Sequence, residues 1–246
     1  IKKEYYEKIN DYLKNNGIPK DQKICCIYIR NKGVKSNNIT NYARNGSELN
    51  SYFFALKSLI NKGYIILLVG DVTLDNSIVK NFDNKIIDAD ALKINKQKFS
   101  LFALTEANIF IGNSGGGSQL PIVNEIPSLI IDAMPYGIGL TNSYMFFKTV
   151  KYNSGELVPY SKLLLDYPYD YKLKNLNLYN NNADEINYAV KYLTPTTVAS
   201  VPLGEPIIAT MFGYLIFSER VPIEAVMGGP VILCGIYIIL KSYNED

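Results

Sequence analysis

The 246-residue chain has no histidine and only three cysteines. Without histidine there can be no Ser-His-Asp or Cys-His nucleophile system, no His-ligated zinc, and none of the commonest general base. Cys25 and Cys26 are adjacent, so on a strand they would point to opposite faces, and Cys234 is far away. No disulfide framework and no CxxC site can be read from that spacing, which suits the cytosol or a membrane. The formal net charge is only +2, too small an excess for a dedicated nucleic-acid surface. Arginine is scarce as well: Arg30, Arg44 and Arg220 stand against 22 lysines.

What is present falls into two compositions. Up to about Val190 the chain is rich in Lys, Asn, Tyr and Ile, with apolar residues in short runs. Beyond Tyr192, residues 198–217 carry one charge, Glu205, and residues 223–240 carry one, Glu224. As helices these segments would each be roughly 27–30 Å long, the thickness of a bilayer core. Ser218-Glu219-Arg220-Val221-Pro222 forms a short polar turn between them. The expectation is a helical hairpin across a membrane, the alternative a buried apolar hairpin. Lys191 and Lys241 at its outer ends favour the cytoplasmic side for both chain ends. Residues 1–190 then hold +4. The chain starts at Ile1 rather than Met, which reads as an internal or processed start.

The first part alternates strands and helices. Lys23–Arg30 (KICCIYIR) and Tyr64–Val69 (YIILLV) are continuous apolar runs, as are the shorter Ile109–Gly112 and Ser128–Asp132. Between the first two, Ser47 looks like an N-cap with Glu48 in the first turn. Leu49, Tyr52, Phe53, Leu56, Leu59 and Ile60 follow at helical spacing, and Gly63 ends the helix. Phe99–Glu106 is a short helix candidate, and Tyr5, Tyr6 and Tyr12 at helical spacing should pack on the core. Unbroken apolar strands separated by helices define an α/β fold, a mostly parallel sheet with helices on both faces.

Ligands of such sheets bind at the carboxyl ends of the strands. Arg30 follows the first strand, Gly70-Asp71 the second, and Asn113-Ser114-Gly115-Gly116-Gly117-Ser118 the IFIG strand. Three glycines let backbone N–H groups approach an anion, and Ser114 and Ser118 could donate hydroxyls. The turn is neither a P-loop nor a GxGxxG. Its other reading is a plain flexible turn. Arg30 could hold a diphosphate or make a surface salt bridge, and Arg44 has the same two readings. Asp71 could accept from a ribose or base, or simply cap a turn. Asp88 and Asp90 are too weak a pattern for a metal site.

On CCIYIR (Cys25–Arg30), ARNGSELNSYFFAL (Ala43–Leu56), INKGYIILLVGD (Ile60–Asp71) and FALTEANIFIGNSGGGSQLPIVNEIPSLII (Phe102–Ile131), the chain resembles a bacterial glycosyltransferase family of two-domain GT-B architecture. The resemblance implies that residues 1–186 are the Rossmann-like, C-terminal half of that fold, the half that binds the donor, related in plan to fucosyltransferase-like enzymes. It implies a nucleotide-diphosphate sugar as donor, with Arg30, Arg44, Ser114 and Gly115 on the diphosphate and Asp71 near the nucleoside. Asn113, Gly116 and Gly117 complete the candidate donor site. Arginine and amides would take the part a metal plays elsewhere, so no metal is expected. Tyr28 stands where relatives often carry His. The 22 residues before the first strand leave no room for the acceptor domain. A partner chain would have to supply that domain and the base it usually contributes, and the catalytic residues stay unassigned.

Asn187–Ser242, with its LTP, GEP, Ser-Glu turn and closing GIYIIL, resembles the last two helices of an EamA-type drug/metabolite transporter. It implies a second part, residues 187–246, joined at about residues 185–189 by natural fusion, by a joining artefact or by design. The expectations are therefore a membrane-associated protein with its globular part in the cytoplasm, a nucleotide sugar as partner, and no nucleic acid. The alternative function is a transporter fragment with a fused soluble head.

Overall fold

Six strands form one sheet in the order β3-β2-β1-β4-β5-β6, and all five pairings are parallel. The structure is a computed structural model. It describes residues 2–19, 22–30, 46–72, 74, 81–134, 143–166, 176–192, 207, 210–211, 213–216 and 222–243. The strands are β1 (Lys23–Ile29), β2 (Tyr64–Gly70), β3 (Ile86–Ile87), β4 (Ile109–Asn113), β5 (Ser128–Ala133) and β6 (Ser143–Phe147). The four continuous apolar runs are thus strands, as expected, each within a residue of its expected end.

The helices of this unit are α1 (Lys2–Asn15), α2 (Phe53–Asn61), α3 (Lys96–Glu106), α4 (Gly116–Val123), α5 (Tyr160–Asp166) and α6 (Ala183–Tyr192). For α2, α3 and α4, which lie in crossovers between parallel strands, the right-handed rule sets the face. The β1-to-β2 connection moves one way along the sheet, whereas β3-to-β4 and β4-to-β5 move the other, so α2 and the pair α3 and α4 lie on opposite faces. Side-chain alternation agrees. Cys26, Leu67, Phe110 and Ile130 share a core with Tyr5, Ile9 and Leu13 of α1 and Phe99, Phe102 and Ala103 of α3. On that face Tyr5 stacks on Phe102 at 5.7 Å and Tyr6 meets its edge at 5.1 Å. Tyr12 packs at the margin, so all three tyrosines serve the core. Ser58 Oγ donates to Asn187 Oδ1 at 2.9 Å, holding α6 beside α2. Cys25 and Cys26 are buried and free, and burial raises both thiols.

Ser47 does not cap a helix. Its N–H and hydroxyl both donate to Asp132 Oδ2, at 2.6 and 2.9 Å, and the chain enters α2 through a 3-10 turn, Leu49–Tyr52. Phe53, expected on the buried stripe, is 42% exposed because that turn rotates the face. Past β6, β7 (Thr149–Tyr152) and β8 (Leu176–Tyr179) pair antiparallel, and Val150, Val158 and Leu163 of α5 form a small second core.

The chain divides into two compact units, Ile1–Lys191 and Tyr192–Asp246. In the second, α7 (Ile223–Tyr243) is helical over 21 residues, and residues 207, 210–211 and 213–216 are also helical. The expected transmembrane hairpin is not found: among the described residues no helix is long and apolar enough to cross a membrane. α7 carries Glu224 near its start, Lys241 near its end and Pro230 within it. Most of residues 198–217, Glu205 included, lies outside the described residues.

Candidate functional site

The strand order reverses direction between β1 and β4, and this is the switch point at which such sheets open a crevice for ligands. Arg30 leaves β1 on one side of it and Ser114-Gly115 leave β4 on the other. Arg30 is half-buried. Its N–H donates to Asn113 Oδ1 at 2.9 Å, and its carbonyl accepts from the Gly46 N–H at 2.9 Å. With both backbone groups held, the side chain crosses to the turn, and Nη1 comes within 3.4 Å of where a Gly115 Cβ would stand. Among the described residues the guanidinium has no carboxylate partner.

Gly115 begins the turn into α4. Ser118 Oγ donates back to the Gly115 carbonyl at 2.7 Å and accepts from its N–H at 3.3 Å, so this hydroxyl is spent on the turn. By helix geometry the N–H groups of Gly116 and Gly117 have no carbonyl a turn back to donate to, and they add to the positive end of the α4 dipole. Ser114 is buried; its Oγ accepts from the Met134 N–H at 3.1 Å and keeps its own proton to donate. Gly117 has a steric role too. A Cβ there would lie 2.9–3.2 Å from three carbons of the Tyr28 ring, so the ring rests flush on the start of the helix.

Asp71 follows β2, exposed, its N–H donating to the Ile29 carbonyl at 2.9 Å. Burial raises the Tyr28 phenol, Arg30 opposing and Asp71 adding, so the hydroxyl stays protonated between a cation and an anion. Beside these residues a depression of about 760 Å³ opens between α3 and α4, lined by Tyr28, Asp71, Lys96, Ser100, Leu104 and Leu120.

The structure therefore brings Arg30, Asp71, Ser114, Gly115, Gly116 and Gly117 to one edge. Asn113 stands behind them, fully buried: besides its bond to Arg30, Nδ2 faces Tyr52 Oη at 3.2 Å, Asp132 Oδ2 at 3.3 Å and the Ile131 carbonyl at 3.4 Å. Arg44 lies outside the described residues. Asp88 Oδ1 accepts from the Ala91 N–H at 2.8 Å as a turn cap, and among the described residues no three metal-ligating side chains come together.

Sequence reasoning missed a buried polar cluster directly behind the edge. Asp132, 2% exposed, takes the two Ser47 bonds and the Asn113 amide on Oδ2, and the Asn181 N–H on Oδ1 at 2.6 Å. Lys148, also buried, donates to Asn180 Oδ1. One signal was available: Asp132 is a carboxylate at the carboxyl end of an apolar strand. The other members come from scattered Ser and Asn residues with no motif.

Fold and edge together define the class: a Rossmann-like α/β unit with a glycine-rich turn at its switch point. Three solved structures of variants of the wall teichoic acid polymerase TagF are similar to the chain, each at 14% identity. Two have a TM-score of 0.38 over 85% and 87% of this chain, and the third, soaked with CDPG, has 0.33 over 96%. The chain spans about half of their length, 47–49%. No family model matches the chain, so the expected EamA-type resemblance of residues 187–242 finds no support, and no curated protein matches it.

Proposed function

We propose that this chain binds the diphosphate of a nucleotide-diphosphate sugar, acting as the donor half of a glycosyltransferase-like protein. One juxtaposition supports the reading: at the switch point, the Arg30 guanidinium lies against Gly115 at the start of α4. A planar fork and a helix start side by side suit a diphosphate better than a single charge. Gly116 and Gly117 would donate N–H groups to one phosphate, Ser114 its hydroxyl, and Arg30 would bridge to the other. Asp71 would accept from a hydroxyl of the ribose or sugar, with the depression beside Tyr28 taking the remainder. In transfer, Arg30 and the amides would stabilise the negative charge that collects on the departing diphosphate.

The test is a titration of the full chain with UDP, GDP, ADP and CMP, beside Arg30→Ala. One diphosphate should bind saturably and better than the monophosphate. Arg30→Ala should weaken it roughly ten- to a hundredfold, the worth of a charge-assisted pair of hydrogen bonds. A folded protein that binds none of them overturns the reading.

A further inference from the structure

We propose that Asp132 is the positioning residue of this edge, clamping the two segments that hold Arg30 and so setting anion affinity without touching the ligand. The affinity half of this inference rests on the diphosphate reading; the clamp itself does not.

Arg30 is held at both backbone groups, its N–H by Asn113 Oδ1 and its carbonyl by the Gly46 N–H, each at 2.9 Å. Both holders lead to the same oxygen. Asp132 Oδ2 accepts from the other end of the Asn113 amide, and from the N–H and hydroxyl of Ser47, the residue after Gly46. The two holders are also pressed together: a Cβ on Gly46 would fall 2.1 Å from the Asn113 amide atoms. The carboxylate thus braces the exits of β1 and β4 and residues 46–47 as one piece. Asp132 Oδ1 and the Asp132 N–H tie the same piece to Asn181, which leads into α6.

Holding this arrangement is costly. Asp132 is buried and sits at φ 55°, in the left-handed region that non-glycine residues avoid. Such strain with a buried carboxylate marks a place where geometry is worth more than stability. What Asp132 adds is the fixed direction of Arg30.

Asp132→Asn is the direct test, because Asn tolerates positive φ and keeps the size while turning an acceptor into a donor. Hydrogen exchange should show the Arg30 amide opening roughly tenfold faster, the size of one lost bond to a charged group, with the Cys26 and Leu67 amides in mid-strand unchanged. Diphosphate affinity should fall by a similar factor. In the Arg30→Ala background Asp132→Asn should change affinity no further, which a general loss of structure would not reproduce. Equal losses with and without Arg30, or an Arg30 amide that exchanges as in the wild type, overturn the proposal. If Asp132→Asn does not fold, Ser47→Ala removes one donor to the same oxygen. It must still speed Arg30 exchange, and no change there overturns the clamp. If the wild type binds no diphosphate, the exchange measurement still decides: a freed Arg30 amide upholds the clamp, an unchanged one refutes it.

Discussion

Asp132 and Lys148 carry opposite charges in the same buried cluster, and burial pushes each toward its neutral form. The Asp132 carboxyl is raised above its ordinary 3.8, with Lys148 and the bonds from Asn181 and Ser47 opposing. The Lys148 ammonium is lowered below its ordinary 10.5, with Asp132 opposing. For Asp132 the native state holds its proton more tightly than the unfolded chain does. Stability should therefore fall as pH rises from 3.8 through the native value. For Lys148 the unfolded chain holds the proton more tightly, so stability should rise with pH from the native value up to 10.5. Each slope is at most about 1.4 kcal/mol per pH unit. Urea unfolding across pH, run on the wild type, Asp132→Asn and Lys148→Met, checks both. The first variant should lose the acid-side decline and the second the alkaline-side rise; variants that keep the wild-type slopes would show that other groups set them.

Among the elements, the exit of β2 is tightly constrained. Gly70 has φ 108°, and a Cβ there would stand 2.2 Å from the Ile29 carbonyl oxygen, itself bonded to the Asp71 N–H. Gly70→Ala must push β1 and β2 apart where both deliver site residues. The expected cost is about 2–4 kcal/mol, read as a lower urea midpoint with the slope unchanged. A loss under 1 kcal/mol would mean the strand ends yield easily. Elements of this kind differ in how far the sequence discloses them. β1, β2, β4 and β5 are buried on both faces, so KICCIYI, YIILLVG, IFIGN and SLIIDA announce themselves by unbroken apolarity. β3 is two residues long, and β6 is half-buried throughout, so neither leaves such a run. The edge followed from the strand ends, which is why Arg30 and the glycine turn could be named together. Ser47 could not be placed, because a partner 85 residues away outbids a local cap. The same holds for Asn113, which reads as a turn residue and proves to be the buried link between Arg30 and Asp132.

At the scale of the whole chain, the described residues of the edge lie in one unit. Arg30, Asp71 and the 113–117 turn, their supports Gly46, Ser47, Asp132, Lys148 and Asn181, and the six described strands of the sheet all fall within Ile1–Lys191. Both faces of the sheet are covered from within that span, by α1 and α3 on one side and α2 on the other, with α6 bonded to α2 near its last residues. Lys62 Nζ even donates to the Lys191 carbonyl at 3.1 Å. A chain ended after Tyr192 should therefore keep its fold and its diphosphate affinity within about twofold, while a chain ended before Ala183 should lose stability with α6. The second cut removes Ile186 and Val190, both fully buried, at roughly 2–5 kcal/mol for each large core side chain lost. Circular dichroism melts and the nucleotide titration on the two truncations separate the cases. If the cut after Tyr192 unfolds the protein, residues 193–246 belong to the folding unit, and the division of the chain into an edge-bearing unit and a separate tail is mistaken.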